Sequence, residues 1–330
     1  MSAVSLYGGD SEGFCRTTTC PLPAYFSPTV DACYPDGFAA YCRSLPTPAK
    51  TLPIWWASAC VSYDLQRNGT RQIAYDTVSR IVAAAFAKWT GTTCATGGTD
   101  ASRVSINVRD LGPVDCNLVQ YNTDQPNQHA ILFHDDIWPY EDANNTLGLT
   151  TVTFDPETGE IYDADMEINA TVPLSVGDPV PPTGYDFDSI VTHEAGHFLG
   201  MAHSGDDRAT MFAHYSPGTS TMRVLADDDV NGICTIYPPG GARSVDPSVL
   251  GANKAGLIGE AACDPTPRHG FSTECATSSK TTTCTASIGT TGAPPRSSRY
   301  LGLLGSAAAL AGLAFRTRRR RRAGGPRACG

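Results

Sequence analysis

The stretch HEAGHFLGMAH, residues 193–203, constrains this chain more than any other. His193 and His197 lie four residues apart, which on a helix puts both imidazoles on one face, one turn apart. Glu194 sits beside them and can reach a water on a shared ion. Gly200 allows a positive φ, so the helix can stop in a sharp turn and His203 can swing back toward the pair. Three neutral imidazoles leave a fourth position open for water, the arrangement of a catalytic rather than a closed structural zinc site. The bland alternative, a helix with three unrelated histidines, leaves the spacing beyond the helix end without a reason. A fold holding this stretch must fix a helix, a glycine turn and a returning loop against one another.

The surrounding pattern supplies the elements. CVSYDL (60–65) alternates as a strand does. Across 74–91, Val78, Ile81, Val82, Ala85, Phe86 and Trp89 recur at helical spacing, and Gly91 ends the run. RVSINVRDL (103–111), HAILFHD (129–135), LGLTTVTF (147–154) and GEIYDADMEINA (159–170) read as strands, the last two joined by a turn at 155–158. The proline-rich stretch 171–184 reads as a loop. Residues 186–200 read as a helix that Asp186 or Asp188 can cap, and 226–237 as a short last helix whose acidic start suits the helix dipole. Strands with one early helix, followed by helices, predict an α+β domain.

At these residues the chain resembles the metzincin zinc peptidases, and within them the matrixins, the matrix metalloproteinase branch. Ser204 follows the third histidine as in matrixins. Met211, eight residues after His203, matches the Met-turn beneath the metal, and Asp228 and Asp229 match the acidic pair of the last helix. The resemblance spans roughly 53–238 and implies a metzincin-like catalytic domain with a twisted, mostly parallel sheet, long helices and an active-site helix ending at a glycine turn. It implies a zinc endopeptidase that binds peptides as an added strand along a sheet edge, here LGLTTVTF. His193, His197 and His203 would hold the zinc, Glu194 would act as general base on the attacking water, and Thr192 and Tyr215 would shape the substrate pocket. The chain departs from the pattern in places. Phe212, Ala213 and His214 replace the usual residues before Tyr215, and no histidine set suits the family's second, structural zinc. Asp163 matches one calcium carboxylate, but Met166 stands where another is expected, so calcium is a weaker expectation than zinc. The propeptide cysteine motif that keeps matrixins latent is not found. Cys15, Cys20, Cys33 and Cys42 stay open as zinc ligands or disulfide partners.

Twelve cysteines, none in a CxxC knuckle, point to disulfides in an exported protein. MSAVSLYGGD, the start, has no basic stretch followed by an apolar one, so either an export signal stands upstream of it, which is the expectation, or the disulfide reading fails. The net charge of −9 hides an asymmetry: Arg316, Arg318 to Arg322 and Arg327 stand in a tail without acids. The acidic body argues against nucleic-acid binding, which needs a basic face. YLGLLGSAAALAGLAF (300–315) is short for a spanning helix, which takes about 20 residues, but the arginines after it obey the positive-inside rule for an exported body. Polar linker, apolar stretch and basic end together resemble bacterial sorting signals, especially myxobacterial surface tags, with Cys284 as the candidate sorting cysteine; a plain membrane anchor stays equally open. The expected organisation is a Cys-rich segment (1–50), a peptidase domain (51–240), a Cys-containing linker (241–299) and an anchor or sorting tail (300–330). A secreted or surface-anchored monomer acting on protein or peptide substrates is the expectation. A surface binding protein with a vestigial site is the rival from another class, and the presence of Glu194 with all three histidines counts against it.

Overall fold

The computed structural model describes residues 54–95, 102–140, 142–155, 158–241 and 264–276, with short strand pieces at 16–17, 25–26, 284–288 and 291–292. Most of the Cys-rich segment 1–50 and the whole of the apolar and arginine-rich end 300–330 lie outside the described residues. Among the described residues no helix is long and apolar enough to cross a membrane.

In chain order the main elements are β1 (Cys60–Gln66), α1 (Tyr75–Thr90), β2 (Asn107–Val114), β3 (Ala130–His134), β4 (Gly148–Phe154), β5 (Ile161–Asn169), α2 (Phe187–Phe198), α3 (Asp227–Ile236) and β6 (Cys284–Ile288). The sheet runs β6-β4-β5-β3-β1-β2. Pairs β2/β1, β1/β3 and β3/β5 are parallel, whereas β4 runs antiparallel to β5. The parallel step from β1 to β2 needs a crossover, and α1 provides it. The antiparallel step from β4 to β5 needs a tight turn; Gly159, at φ +76°, supplies it, and its N–H donates to the Asp155 carbonyl at 2.8 Å. This is the α+β, mostly parallel sheet expected from the sequence.

β2 begins and ends later than the alternation predicted, at 107–114 rather than 103–111. Gly112 takes a φ of +103°, and the pairing with β1 shifts register between Tyr63 and Leu65. The irregularity accommodates Pro113, which lacks a ladder donor and is tolerated on an edge strand or at a bulge. Within 171–184, read as a loop, Leu174–Ser175 pairs with Tyr185–Asp186.

The core lies between the sheet and α1 and α2. Val78, Val82, Ala85, Phe86 and Trp89 form the buried stripe of α1, and the Trp89 indole donates to the Thr192 carbonyl of α2 at 2.8 Å. α2 is buried along almost its whole length, so both ends need partners for their free backbone groups. At the start, Asp186 accepts from the Ser189 N–H at 3.0 Å and pairs with Arg223 at 2.6 Å. At the end, Gly200 adopts φ +93°, its N–H reaches the His197 carbonyl at 2.9 Å, and Met201 N–H reaches the Gly196 carbonyl at 3.0 Å. That is the two-bond Schellman closure. The next two carbonyls accept from side chains: Phe198 from the Trp56 indole at 2.8 Å and Leu199 from the Tyr237 hydroxyl at 2.9 Å.

Two disulfides between described residues tie distant parts together. Cys94–Cys234 joins the segment after α1 to α3, and Cys116–Cys275 holds residues 264–276, part of the stretch read as linker, against the domain. Around the second, Phe271 packs on Val114, Ala130 and Leu132, and the Asn127 amide donates to the Arg268 carbonyl at 2.8 Å. Cys94–Cys234 closes a sequence separation of 140 residues. The double variant Cys94→Ser/Cys234→Ser is expected to lose about 2–5 kcal/mol of stability. Denaturant unfolding of both proteins under non-reducing conditions measures it.

Candidate metal centre

Both ends of α2 are fastened, so His193 and His197 project from a rigid support. The ring Nδ1 of His193 lies 2.6 Å from the Thr210 carbonyl, and that of His197 lies 2.9 Å from the Met201 carbonyl. A carbonyl only accepts, so each Nδ1 carries the proton and each Nε2 presents its lone pair. Those two Nε2 atoms face each other at 3.0 Å. Two lone pairs at that distance repel unless a cation or proton lies between them. One nitrogen of His203 joins them, all three within 4.8 Å of one another. Burial pushes the His193 imidazole down to about 4. Burial, reinforced by the two neighbouring rings, holds His197 well below the ordinary range. Both rings are therefore neutral near pH 7, as metal ligation requires. Among the described residues this is the one cluster of three or more ligating side chains that can converge on an ion. Three imidazole donors, two of them with fixed tautomers, fit a zinc ion with one open position.

Glu194 is placed from the sheet side. The Thr150 hydroxyl of β4 donates to Oε2 of Glu194 at 2.7 Å. Gly148, at the start of β4, lies so close that a Cβ there would stand 2.6 Å from Oε1. The carboxylate is therefore held between α2 and the first residues of β4, directly beside His193.

Beneath the histidines, Met211 fills the space under α2. A Cβ on Gly196 would fall 2.3 Å from the Met211 sulfur and 2.8 Å from the Trp89 ring. The Met211 loop is held in turn by Asp229, whose carboxylate accepts from the N–H groups of Thr210 at 2.7 Å, Met211 at 3.0 Å and Ala226 at 2.8 Å. Burial raises this carboxyl to about 6, although those three donors pull it down. Ser204 belongs to the same network: its hydroxyl donates to Asp228 at 2.5 Å, and its N–H to the Met211 carbonyl at 2.7 Å.

The family model for Matrixin matches residues 55–238, and this span contains every group just described. The chain belongs to the matrixin family. It is 29% identical over 198 residues to metalloendoproteinase 1 of Glycine max, covering 57% of this chain and 54% of that protein. It is 29% identical over 184 residues to human matrilysin, covering 55% and 58%, and 28% identical over 182 residues to human neutrophil collagenase, covering 55% and 33%. The chain thus spans between a third and three-fifths of these relatives' length.

In this matrixin the residues expected from sequence fall into separate groups. The three histidines, Glu194 and Met211 come together. Tyr215 is buried in the short strand His214–Tyr215, with its hydroxyl donating to the Thr219 carbonyl. Thr192 does not join the triad through its hydroxyl, which donates to the Asp188 carbonyl at 2.7 Å and accepts from Lys88 at 3.0 Å. One residue before His193, it is turned about 100° around the helix, toward α1. Asp163 is buried on β5, 3.8 Å from His129; burial and the Asp165 carboxyl hold it well above the usual carboxylate range. Cys284 starts β6, opposite Phe154. Sequence reasoning missed Gly148, Thr150 and Gly196, and named Trp89 only as part of the α1 stripe. Gly196 carried a usable signal: glycine inside a helix costs about 1 kcal/mol, so its presence marks a close approach.

Gly196→Ala is expected to force Met211 and Trp89 apart and cost about 1–3 kcal/mol, read as a lowered thermal midpoint. Unchanged stability would mean that Met211 does not pack against α2 as described.

Proposed function

We propose that the protein is a zinc-dependent endopeptidase, secreted or held at a cell surface, that cuts extended peptides of extracellular proteins. The observation carrying this reading is the joint placement of three converging imidazoles and Glu194 at one end of strand β4. His193, His197 and His203 would hold the metal through one ring nitrogen each. Zinc bound there acts as a Lewis acid and lowers the pKa of a coordinated water from near 16 to about 7.

The remaining steps belong to the chain's own residues. Glu194 accepts the proton as water attacks the peptide carbonyl, then returns it to the departing nitrogen. The Thr150 hydroxyl keeps the carboxylate pointed at the reacting water instead of at solvent. The carbonyls of Thr210 and Met201 keep both Nδ1 protons in place, so the ligating tautomer needs no rearrangement. Tyr215 is proposed as a wall of the pocket for the side chain after the cut.

An oxidising location is supported by Cys94–Cys234 and Cys116–Cys275, since disulfides persist outside the cytosol. The apolar stretch 300–315 and its arginine run are proposed to hold the protein at a membrane or envelope, with Cys284 as the candidate processing point. Calcium at Asp163 is left out of this reading, because that carboxyl is buried and held well above the usual carboxylate range.

Glu194→Ala is expected to keep one zinc per chain by elemental analysis while peptide hydrolysis falls by at least about 10²-fold. Hydrolysis at the parental rate by a zinc-loaded variant would overturn the assignment of the base.

A further inference from the structure

Beyond the peptidase domain, the chain returns to its own cleft. β6, Cys284–Ile288, pairs antiparallel with five residues of the outer edge of β4, from Cys284 opposite Phe154 to Ile288 opposite Thr150. Three residues later, Thr291–Gly292 pairs parallel with His214–Tyr215, in register Thr291 with His214 and Gly292 with Tyr215. Thr150 is the residue whose hydroxyl holds Glu194, and Tyr215 stands four residues beyond Met211. One segment therefore pairs with the strand on the Glu194 side and then with the strand that follows the Met-turn. It runs in a single direction, antiparallel to the first wall and parallel to the second.

We propose that the cleft is a strand-binding site whose cis ligands are the chain's own strands Cys284–Ile288 and Thr291–Gly292, lying along its two walls. The inference rests on the peptidase reading for its consequence, but not for its geometry. Backbone pairing of this kind supplies affinity with little demand on side chains. The tether favours it. Cys275 is locked to Cys116, and Arg268 pairs with Glu160 at 2.5 Å, beside the β4–β5 turn where β6 begins. The nine residues from Cys275 to Cys284 reach at most about 30 Å when extended, so the segment is confined near the cleft. A short tether of this kind gives an effective concentration of order millimolar. A peptide substrate must displace the cis strand before it can pair with β4.

The test uses the full chain with zinc bound. Ala286→Pro and Ser287→Pro are made separately. In an antiparallel pair alternate residues point their N–H at the partner, so one of the two removes a ladder donor. Each is combined with Glu194→Ala, which prevents turnover, and amide hydrogen exchange is followed along β4. The expected result is slow exchange at alternate amides of 150–154, accelerated about tenfold or more by one of the proline substitutions. Equal exchange in all three chains overturns the proposal. With Glu194 intact, the same proline substitution is expected to lower KM for a quenched fluorescent peptide about tenfold at unchanged kcat, the factor that a millimolar effective concentration gives for a cis strand with an intrinsic Kd of about 0.1 mM. An unchanged KM also overturns it. Loss of all peptide hydrolysis with the exchange result intact would strike the peptidase reading and leave the bound strand standing.

Discussion

The contact on which the centre depends is the short bond from His193 Nδ1 to the Thr210 carbonyl, at 2.6 Å. Thr210 is a loop residue, and a loop carbonyl can orient a ligand only if the loop itself is fixed. Asp229 fixes it by taking the N–H of Thr210 and of its neighbour Met211. The chain of restraint therefore runs from a buried carboxylate on α3, through one peptide unit, to the tautomer of an imidazole on α2. Ionised Asp229 is costly to bury and is stabilised by three backbone donors, so the energy of α3 docking is coupled to the geometry of the histidines. This explains why a short helix far along the sequence matters to the site.

A second restraint acts at the end of α2. The Schellman turn at Gly200 reverses the chain, while Trp56 and Tyr237 take the carbonyls of Phe198 and Leu199 that the turn leaves over. Trp56 precedes the first sheet strand and Tyr237 follows the last helix of the domain. Both termini of the domain thus converge on the residues between His197 and His203. Met201, inside that turn, supplies the carbonyl for His197, so helix termination and ligand orientation are one structure.

Much of this could be read from the sequence because it rests on local rules. The His193/His197 spacing, the positive φ of Gly200, the cap at Asp186 and the stripe of α1 each follow from periodicity or from one residue's conformational freedom. What could not be read rests on approach between distant segments. Gly148 matters because Glu194 comes within contact distance across a separation of 46 residues, and Thr192 faces α1 because Lys88 is there to receive it. β2 slipped from its predicted limits because a proline had to be placed at an edge, a matter of sheet position and not of alternation. The pairing of β6 with β4 was equally hidden: its composition is that of a polar linker, and only the partner strand makes it extended.

That pairing bears on a conflict built into any enzyme that binds substrate by strand addition. Such an enzyme needs an edge strand with unpaired N–H and C=O groups, yet an open edge is also a template for association with other chains. β4 is long and almost wholly buried on its faces, with neither a proline nor an inward lysine to blunt it. A tethered strand resolves the conflict without covalent change. It satisfies the backbone groups of β4 while the cleft is idle, and it yields to a peptide that binds more tightly than its own effective concentration allows. The affinity of β6 must then fall within limits. Too tight a strand would close the site, and too loose a strand would leave the edge exposed. Small and polar residues, Thr285, Ala286 and Ser287, suit that intermediate strength, because backbone bonds supply the affinity while little apolar surface is there to lock the strand in place.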